Sequence, residues 1–203
     1  MKSRVRRPRS VALLLAVATG AVAPAAHAHL VTTGLGPVYD GILHFVLTLE
    51  DLIPALALSI YAGLRGREHA RIAMFALPIA WLAAGVAGVM AARGPTVTPD
   101  WLPFVLLGGL VAADLSLPRA GTAVLAVALG AALGYQNGVV MSVPDGPGLR
   151  GVLGTAATVF VVVTLLAALV SRFQAGGLRI AWRVLGSWIA ATGLLLFGWS
   201  LVS

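Results

Sequence analysis

The feature that most constrains the fold is a series of six apolar segments that follow one another with short loops between them. They cover approximately residues 50–64, 72–92, 101–117, 122–143, 151–171 and 180–202. A helix needs about 20 apolar residues to cross a bilayer, and short loops oblige neighbouring helices to run antiparallel. Only 10% of the 203 residues are charged, against about 25% in a soluble domain. The sequence therefore predicts an all-α membrane protein, a six-transmembrane-helix bundle forming one domain.

The N-terminal segment has the parts of a secretory signal peptide. Five of the 14 basic residues fall in the first nine positions, and an apolar run covers residues 11–23. Small residues then allow cleavage after Ala28 or, alternatively, after Ala25. We expect residues 1–28 to be removed, leaving 29–203 as the mature chain, with an uncleaved first helix as the alternative. Because the basic cluster belongs to this targeting segment, the net charge of +7 does not indicate a nucleic-acid partner.

The charge of the loops predicts the orientation. With the mature N-terminus outside, seven arginines fall in inner loops and only Arg93 and Arg150 fall in outer loops, as the positive-inside rule requires. The seven are Arg65, Arg67, Arg71, Arg119, Arg172, Arg179 and Arg183. We therefore expect a bacterial inner-membrane protein with both mature termini on the periplasmic side.

The first span is preceded by a short amphipathic helix near residues 37–47. Pro37 suits a first helical turn. Thr48, followed by Glu50 and Asp51 and then an apolar run, is typical of a new helix start, because acidic residues favour the positive end of the helix dipole. We expect the short helix to lie at the outer membrane face and the first span to begin near Leu49.

Four side chains around this boundary can bind a metal ion. Asp40 and His44 are four residues apart and share one helix face, and Glu50 and Asp51 follow at the next helix start. Imidazole and carboxylate groups together suit a divalent transition metal such as nickel, cobalt, zinc or copper. The alternative is structural: Asp40 and His44 bond to each other, while Glu50 and Asp51 only stabilise the helix start.

His29 extends the metal hypothesis. Cleavage after Ala28 would make His29 the first residue, so that its α-amine and ring Nδ1 could chelate one metal ion together. Residues 30–36 span up to about 24 Å, which is enough to reach His44. The alternative is a terminal histidine without a ligand role. His69, in an inner loop, is expected to be solvated.

Few polar residues lie deeper in the predicted spans. Gln136 and Asn137 fall in the outer half of the fourth span, and Asp114 falls near the inner end of the third. Polar groups inside a membrane often mark an ion pathway, so all three are pathway candidates. The alternatives are an ion pair of Asp114 with Arg119 and interhelical hydrogen bonds from the two amides. Asn137, before Gly138, could also mark a helix break that exposes carbonyl groups to an ion.

The small residues predict close helix packing. The examples are Gly85-x-x-Gly88, Gly130-x-x-x-Gly134 and Gly186.

Other function classes are disfavoured. The absence of cysteine excludes disulfides and thiolate metal sites. His44 is the single histidine placed to enter the membrane, which excludes bis-histidine haem ligation within one chain. Serine-hydrolase, metalloprotease and phosphate-loop motifs are missing. We therefore predict neither an enzyme nor an organic cofactor.

The segment from His44 onward resembles the HupE/UreJ family of membrane proteins. The better-known branch has the pattern H-P-x-x-G-x-D-H at the start of its first span. Here the same spacing reads His44-Phe-Val-Leu-Thr48-Leu-Glu50-Asp51, so three ligand-capable positions stay ligand-capable. The stretches TGLGPVYDGILHF, EDLIPALALSIYAGLRG and RVLGSWIAATGLLLFGW look like a second branch, which has a signal peptide and a D-G-x-x-H motif.

HupE/UreJ proteins are associated with hydrogenase and urease gene clusters and are thought to be nickel or cobalt permeases. The resemblance implies a permease that captures a divalent metal at the outer face and passes it inward near Gln136 and Asn137. A carboxylate in place of the second histidine shifts such a site toward harder ions. The alternative is a non-transporting accessory protein that delivers metal to, or scaffolds, a metalloenzyme or its maturation partners. A tightly packed interior without a polar route behind His44 would favour that alternative.

Overall fold

The computed structural model describes residues 32–91, 99–174 and 176–202. These residues form seven α-helices and no β-strand. The helices are α1 (Pro37–Leu47), α2 (Leu49–Arg65), α3 (Arg67–Ala91), α4 (Trp101–Ala112), α5 (Arg119–Met141), α6 (Gly148–Arg172) and α7 (Gly177–Ser200). The predicted signal peptide and His29 lie outside the described residues.

Four of the described helices, α3, α5, α6 and α7, are long and apolar enough to cross a membrane. α1 and α2 pass the same test only as a pair, which is bent by 73° at Thr48. α4 has 12 residues and a length of about 18 Å, which is shorter than the roughly 30 Å hydrocarbon core. Each of the six predicted spans contains a helix, and the fold is compatible with a multi-pass membrane protein, but only four of the described helices qualify alone.

The short helix before the first span is confirmed at the predicted residues. It begins at Pro37 and ends at Leu47. Thr48 takes an extended backbone conformation and occupies the N-cap position of α2, but its side chain makes no capping hydrogen bond. Instead its carbonyl oxygen accepts the amides of Asp51 and Leu52. The helix boundary therefore depends on backbone geometry at Thr48 rather than on its hydroxyl group.

α2 is the central helix of the bundle. It contacts each of the other six helices, and almost every residue from Pro54 to Leu64 is buried. The alanines and Gly63 of this stretch allow neighbouring helices to approach closely; a Cβ on Gly63 would meet Val170 of α6. Because Asp51 lies in the first turn of this helix, the sequence places an acidic residue at the entrance to the core.

The predicted glycine packing is confirmed between α3 and α5. A Cβ on Gly134 would meet the backbone of Trp81, and one on Gly138 would meet the backbone of Gly85. Gly88 likewise lies against the backbone of α5. Such close approach strengthens van der Waals contact where lipid provides no hydrophobic driving force between helices.

A second glycine seam joins α4 to α7. The two buried residues of α7 are Gly186 and Gly193, and a Cβ on either would meet side-chain and backbone atoms of α4. Gly108 of α4 lies in turn against the backbone of α7. α7 makes only a few contacts with α2, so the seam with α4 is the main attachment of α7 to the bundle.

Two details of the predicted spans differ in the structure. α5 continues without interruption through Asn137 and Gly138, so the helix break considered there is absent. α4 ends at Ala112 rather than near Leu117, because Asp114 adopts a left-handed conformation with φ of 56°, which stops the helix.

The antiparallel helices give the bundle two chemically different ends. One end, which we call the arginine end, contains the C-termini of α2, α4 and α6 and the N-termini of α3, α5 and α7. Contacts between Arg65, Asp114 and Arg179 join three of these termini. The opposite end, which we call the acidic end, contains the starts of α2 and α4, with Glu50, Asp51 and Asp100.

Candidate functional site at the acidic end

His44 is buried where α1 contacts the rest of the bundle. Its side chain is 3% exposed and shares a face with Gly41 and Phe45. Gly41 lies against the backbone of α6, and the Phe45 ring meets the Trp81 ring edge-on at 5.6 Å. The His44 Nδ1 atom has no hydrogen-bond partner. Because an unpaired buried polar atom is costly, this imidazole is the clearest metal-ligand candidate of the described residues.

Asp40 forms hydrogen bonds with the segment that precedes α1. Its Oδ1 atom accepts hydrogen bonds from the Thr33 amide at 2.6 Å and from the Thr33 hydroxyl at 2.7 Å. The structural alternative, a bond between Asp40 and His44, is therefore not formed. The carboxylate instead holds the segment before the helix against its first turn.

Asp51 and Asn137 form a buried pair between α2 and α5. Each is 4% exposed, and the Asn137 Nδ2 atom donates to Asp51 Oδ2 at 2.8 Å and to the Leu133 carbonyl oxygen at 3.0 Å. The Asn137 Oδ1 atom is buried and has no hydrogen-bond partner. The structure thus joins two residues that the sequence assigned to separate roles, one to metal capture and one to the pathway.

Glu50 faces a different space from Asp51. It lines an apolar cleft of about 230 Å³ between α4 and α5, together with Asp100 and Gln136. Gln136 and Asn137 therefore diverge: one borders this cleft, whereas the other points at α2. The cleft walls are formed mostly by apolar residues, six of them leucines, and its polar groups are concentrated at the acidic end.

Asp100 was missed by the sequence reasoning. It occupies the N-cap position of α4 and lines the apolar cleft together with Glu50. The available signal was an acidic residue directly before the apolar run that starts at Trp101, the same pattern that identified Glu50 and Asp51. The acidic end thus carries the unpaired imidazole of His44 and one arginine, Arg150, beside the carboxylates of Asp40, Glu50, Asp51, Asp100 and Asp145.

These groups do not converge on one point. In the described part of the chain, no three His, Asp or Glu side chains lie close enough together to hold one metal ion. The predicted group of Asp40, His44, Glu50 and Asp51 is therefore not assembled as a single site in this structure, because Asp40 bonds to Thr33 and Glu50 lines the cleft.

At the arginine end, Asp114 is held by two arginines. It forms an ion pair with Arg65 and accepts two hydrogen bonds from Arg179, at 2.8 and 3.0 Å. The alternative of an ion pair at Asp114 is confirmed, but the partners are Arg65 and Arg179 instead of Arg119. His69, which was expected to be solvated, is partly buried, and its Nδ1 atom lies 2.7 Å from the Thr122 hydroxyl oxygen.

The comparisons with known proteins add no relative. The chain matches no protein-family model, no curated protein and no solved structure.

Proposed function

We propose that the protein is an inner-membrane permease for a divalent transition metal, with nickel or cobalt as the cargo by resemblance to the HupE/UreJ family. The observation that carries the proposal is the buried, unpaired imidazole of His44 beside the break between α1 and α2. A buried nitrogen without a hydrogen-bond partner is available to a metal, and ionisable residues inside membrane bundles commonly mark ion sites.

We call the two proposed ion-binding positions stations: His44 is the first, and the Asp51–Asn137 pair is the second. Its carboxylate and the unpaired Asn137 Oδ1 atom offer oxygen ligands one helix turn inside the break. A site with few ligands suits a permease, because the ion must bind well enough to enter and weakly enough to leave. Water would complete the coordination of the ion.

The two ends of the bundle support inward movement. The acidic end attracts cations from the periplasm, and the positive-inside rule assigns the arginine end to the cytoplasm. The membrane potential supplies about 2.3 kcal/mol per charge per 100 mV, which drives a divalent cation in this direction.

The second candidate is a non-transporting accessory protein that binds metal at the outer face. It is favoured by the buried side chains between the Asp51–Asn137 pair and the arginine end, which in the described residues are mainly apolar, such as Leu58, Leu129 and Leu133. Such a protein would pass the ion to a periplasmic partner instead of across the bilayer.

Uptake of radioactive nickel and cobalt by cells expressing His44→Ala tests the proposal. We expect a loss of tenfold or more relative to wild type, because even the loss of a group that only supports a metal ligand costs about 10–100-fold. His69→Ala is the matched control, since this histidine lies at the arginine end, bonded to Thr122. Immunoblots of the membrane fraction measure the protein level of each variant, and uptake is compared at equal levels.

Wild-type uptake by His44→Ala cells, at equal protein levels, would contradict any role of this residue in transport. If wild-type cells accumulate no more metal than empty cells, while the purified protein binds the metal and His44→Ala does not, the accessory function replaces the permease.

A further inference from the structure

A basic groove lies at the arginine end, on the opposite side of the bundle from the ions' proposed point of capture. It runs between the first turns of α3 and the last turns of α6 and encloses about 470 Å³. Arg67 and Arg71 line it from α3, and Ser171 and Arg172 line it from α6. Neither proposed metal station contributes to it, so the groove requires its own explanation.

The charge of this groove is not neutralised within the protein. Arg71 has one distant partner, Glu68, at 4.0 Å, and both side chains are largely exposed. Within the described ranges, Arg67 and Arg172 have no acidic partner. This contrasts with Arg65 and Arg179, whose guanidinium groups both contact Asp114. Three basic groups against one acidic group leave a concentrated positive charge that fits an anionic ligand.

The inner surface of the groove is apolar. Ala70, Met74 and Ala168 form much of it, so that a purely ionic ligand would leave this surface uncovered. The Thr164 hydroxyl also lines the groove and is buried without a hydrogen-bond partner. Thr164 lies eight residues before Arg172 on α6, about 12 Å deeper along the helix axis. The groove therefore offers charge at its rim and an unsatisfied hydroxyl group further in.

An exposed apolar strip continues the groove along the outside of α3. A neighbouring depression begins at Glu68 and Arg71 and descends past Ile72, Phe75 and Ile79. Phe75 and Ile79 are about half exposed or more, and the Phe75 ring lies 6.1 Å from that of Phe160 on α6. A positively charged region followed by a long apolar strip is complementary to a phospholipid, which has a phosphate at one end and acyl chains at the other.

We propose that this groove binds one anionic phospholipid. Arg67, Arg71 and Arg172 contact its phosphate group, and the Thr164 hydroxyl donates a hydrogen bond to an ester oxygen below it. The acyl chains lie along Phe75 and Ile79. Basic pockets between transmembrane helices bind anionic headgroups in this manner, and the bound lipid links α3 to α6 at the arginine end.

Native mass spectrometry of the purified full-length protein in neutral detergent tests the proposal. The protein is titrated with phosphatidylglycerol and, separately, with phosphatidylethanolamine of the same acyl chains. We expect phosphatidylglycerol to bind at least about fivefold more tightly. In Arg172→Gln we expect its dissociation constant to rise about fivefold, which equals the roughly 1 kcal/mol that one basic residue contributes near an anionic lipid surface.

Two controls separate the groove from general attraction to positive charge. Arg119→Gln removes an exposed arginine at the same end but outside the groove, and should bind phosphatidylglycerol like wild type. Ala168→Phe fills the groove without changing its charge; because Ala168 is exposed, the substitution leaves the core intact and should also weaken binding.

Three results would overturn the proposal. The first is equal binding of the two lipids, and the second is an equal loss of binding in Arg119→Gln and Arg172→Gln. The third is displacement of phosphatidylglycerol by millimolar inorganic phosphate that itself binds in the groove, since this would identify a soluble anion as the ligand.

Discussion

The Asp51–Asn137 pair provides the sharpest test of the structure, because its strength depends on whether the carboxylate is charged. Asn137→Ala removes the amide that donates to Asp51 at 2.8 Å. A carboxylate that is 4% exposed is then left without this donor. Leaving a buried acceptor without its donor costs about 1–3 kcal/mol, so we expect the free energy of unfolding to fall by about that amount.

A double-mutant cycle measures the pairwise contribution. Asp51→Ala, Asn137→Ala and the double variant are unfolded in mixed micelles with increasing sodium dodecyl sulfate, and unfolding is followed by tryptophan fluorescence. Hydrogen bonds to charged groups contribute about 1.5–3 kcal/mol, and we expect a coupling energy near 2 kcal/mol. Asp51→Asn keeps an acceptor but removes the charge, so in that background the cost of Asn137→Ala should fall to about 0.6 kcal/mol, the mean for neutral bonds between membrane helices.

A coupling energy of 0.6 kcal/mol or less in the wild-type background would refute this reasoning. It would show that the pair is ordinary interhelical bonding, and it would remove the second station from the proposed ion route. Additive effects of the two alanine substitutions would have the same meaning, because residues in direct contact should not act independently.

Further predictions concern the helix seam and the arginine end, and both can be measured by the same unfolding assay. Gly108→Ala should destabilise the protein by about 1–3 kcal/mol through overpacking, because the added Cβ would lie 2.5 Å from a backbone nitrogen of α7. Gly109→Ala is the control: its Cβ meets nothing within 4 Å, and the substitution should gain up to about 1 kcal/mol of helix stability. Equal effects of the two substitutions would refute the packing of α4 on α7. Asp114→Asn should lower the free energy of unfolding by about 2 kcal/mol. Asn tolerates the left-handed backbone, but the substitution leaves Arg65 and Arg179 without their carboxylate partner. An unchanged free energy of unfolding would show that the ion pairs contribute nothing to holding α7.

The proposed metal site shows where sequence reasoning stops. Spacing correctly placed Asp40 and His44 on one short helix, and Glu50 and Asp51 at the start of the next. It could not show that Asp40 bonds to Thr33, that Glu50 lines the cleft beside Asp100, or that Asp51 meets Asn137. Each of these outcomes depends on how a helix is rotated and bent relative to its neighbours, which a spacing of four or seven residues does not specify.

By itself, the sequence determined where the helices lie and where the first of them is interrupted. Pro37 and the apolar period predicted α1 at its observed bounds, Thr48 marked the break, and the lengths of the apolar segments located the remaining helices. These features were predictable because capping, backbone preference and hydrophobic length act over a few neighbouring residues.

Only the tertiary structure decided the partners. Asn137 is 86 residues from Asp51, and Asp114 pairs with arginines that are 49 and 65 residues away rather than with nearby Arg119. Glycine seams allow α3 and α5, and α4 and α7, to approach closely, and this packing sets the rotation of each helix about its axis. That rotation directs Asn137 toward the centre and its neighbour Gln136 toward the cleft, because adjacent helical residues point about 100° apart.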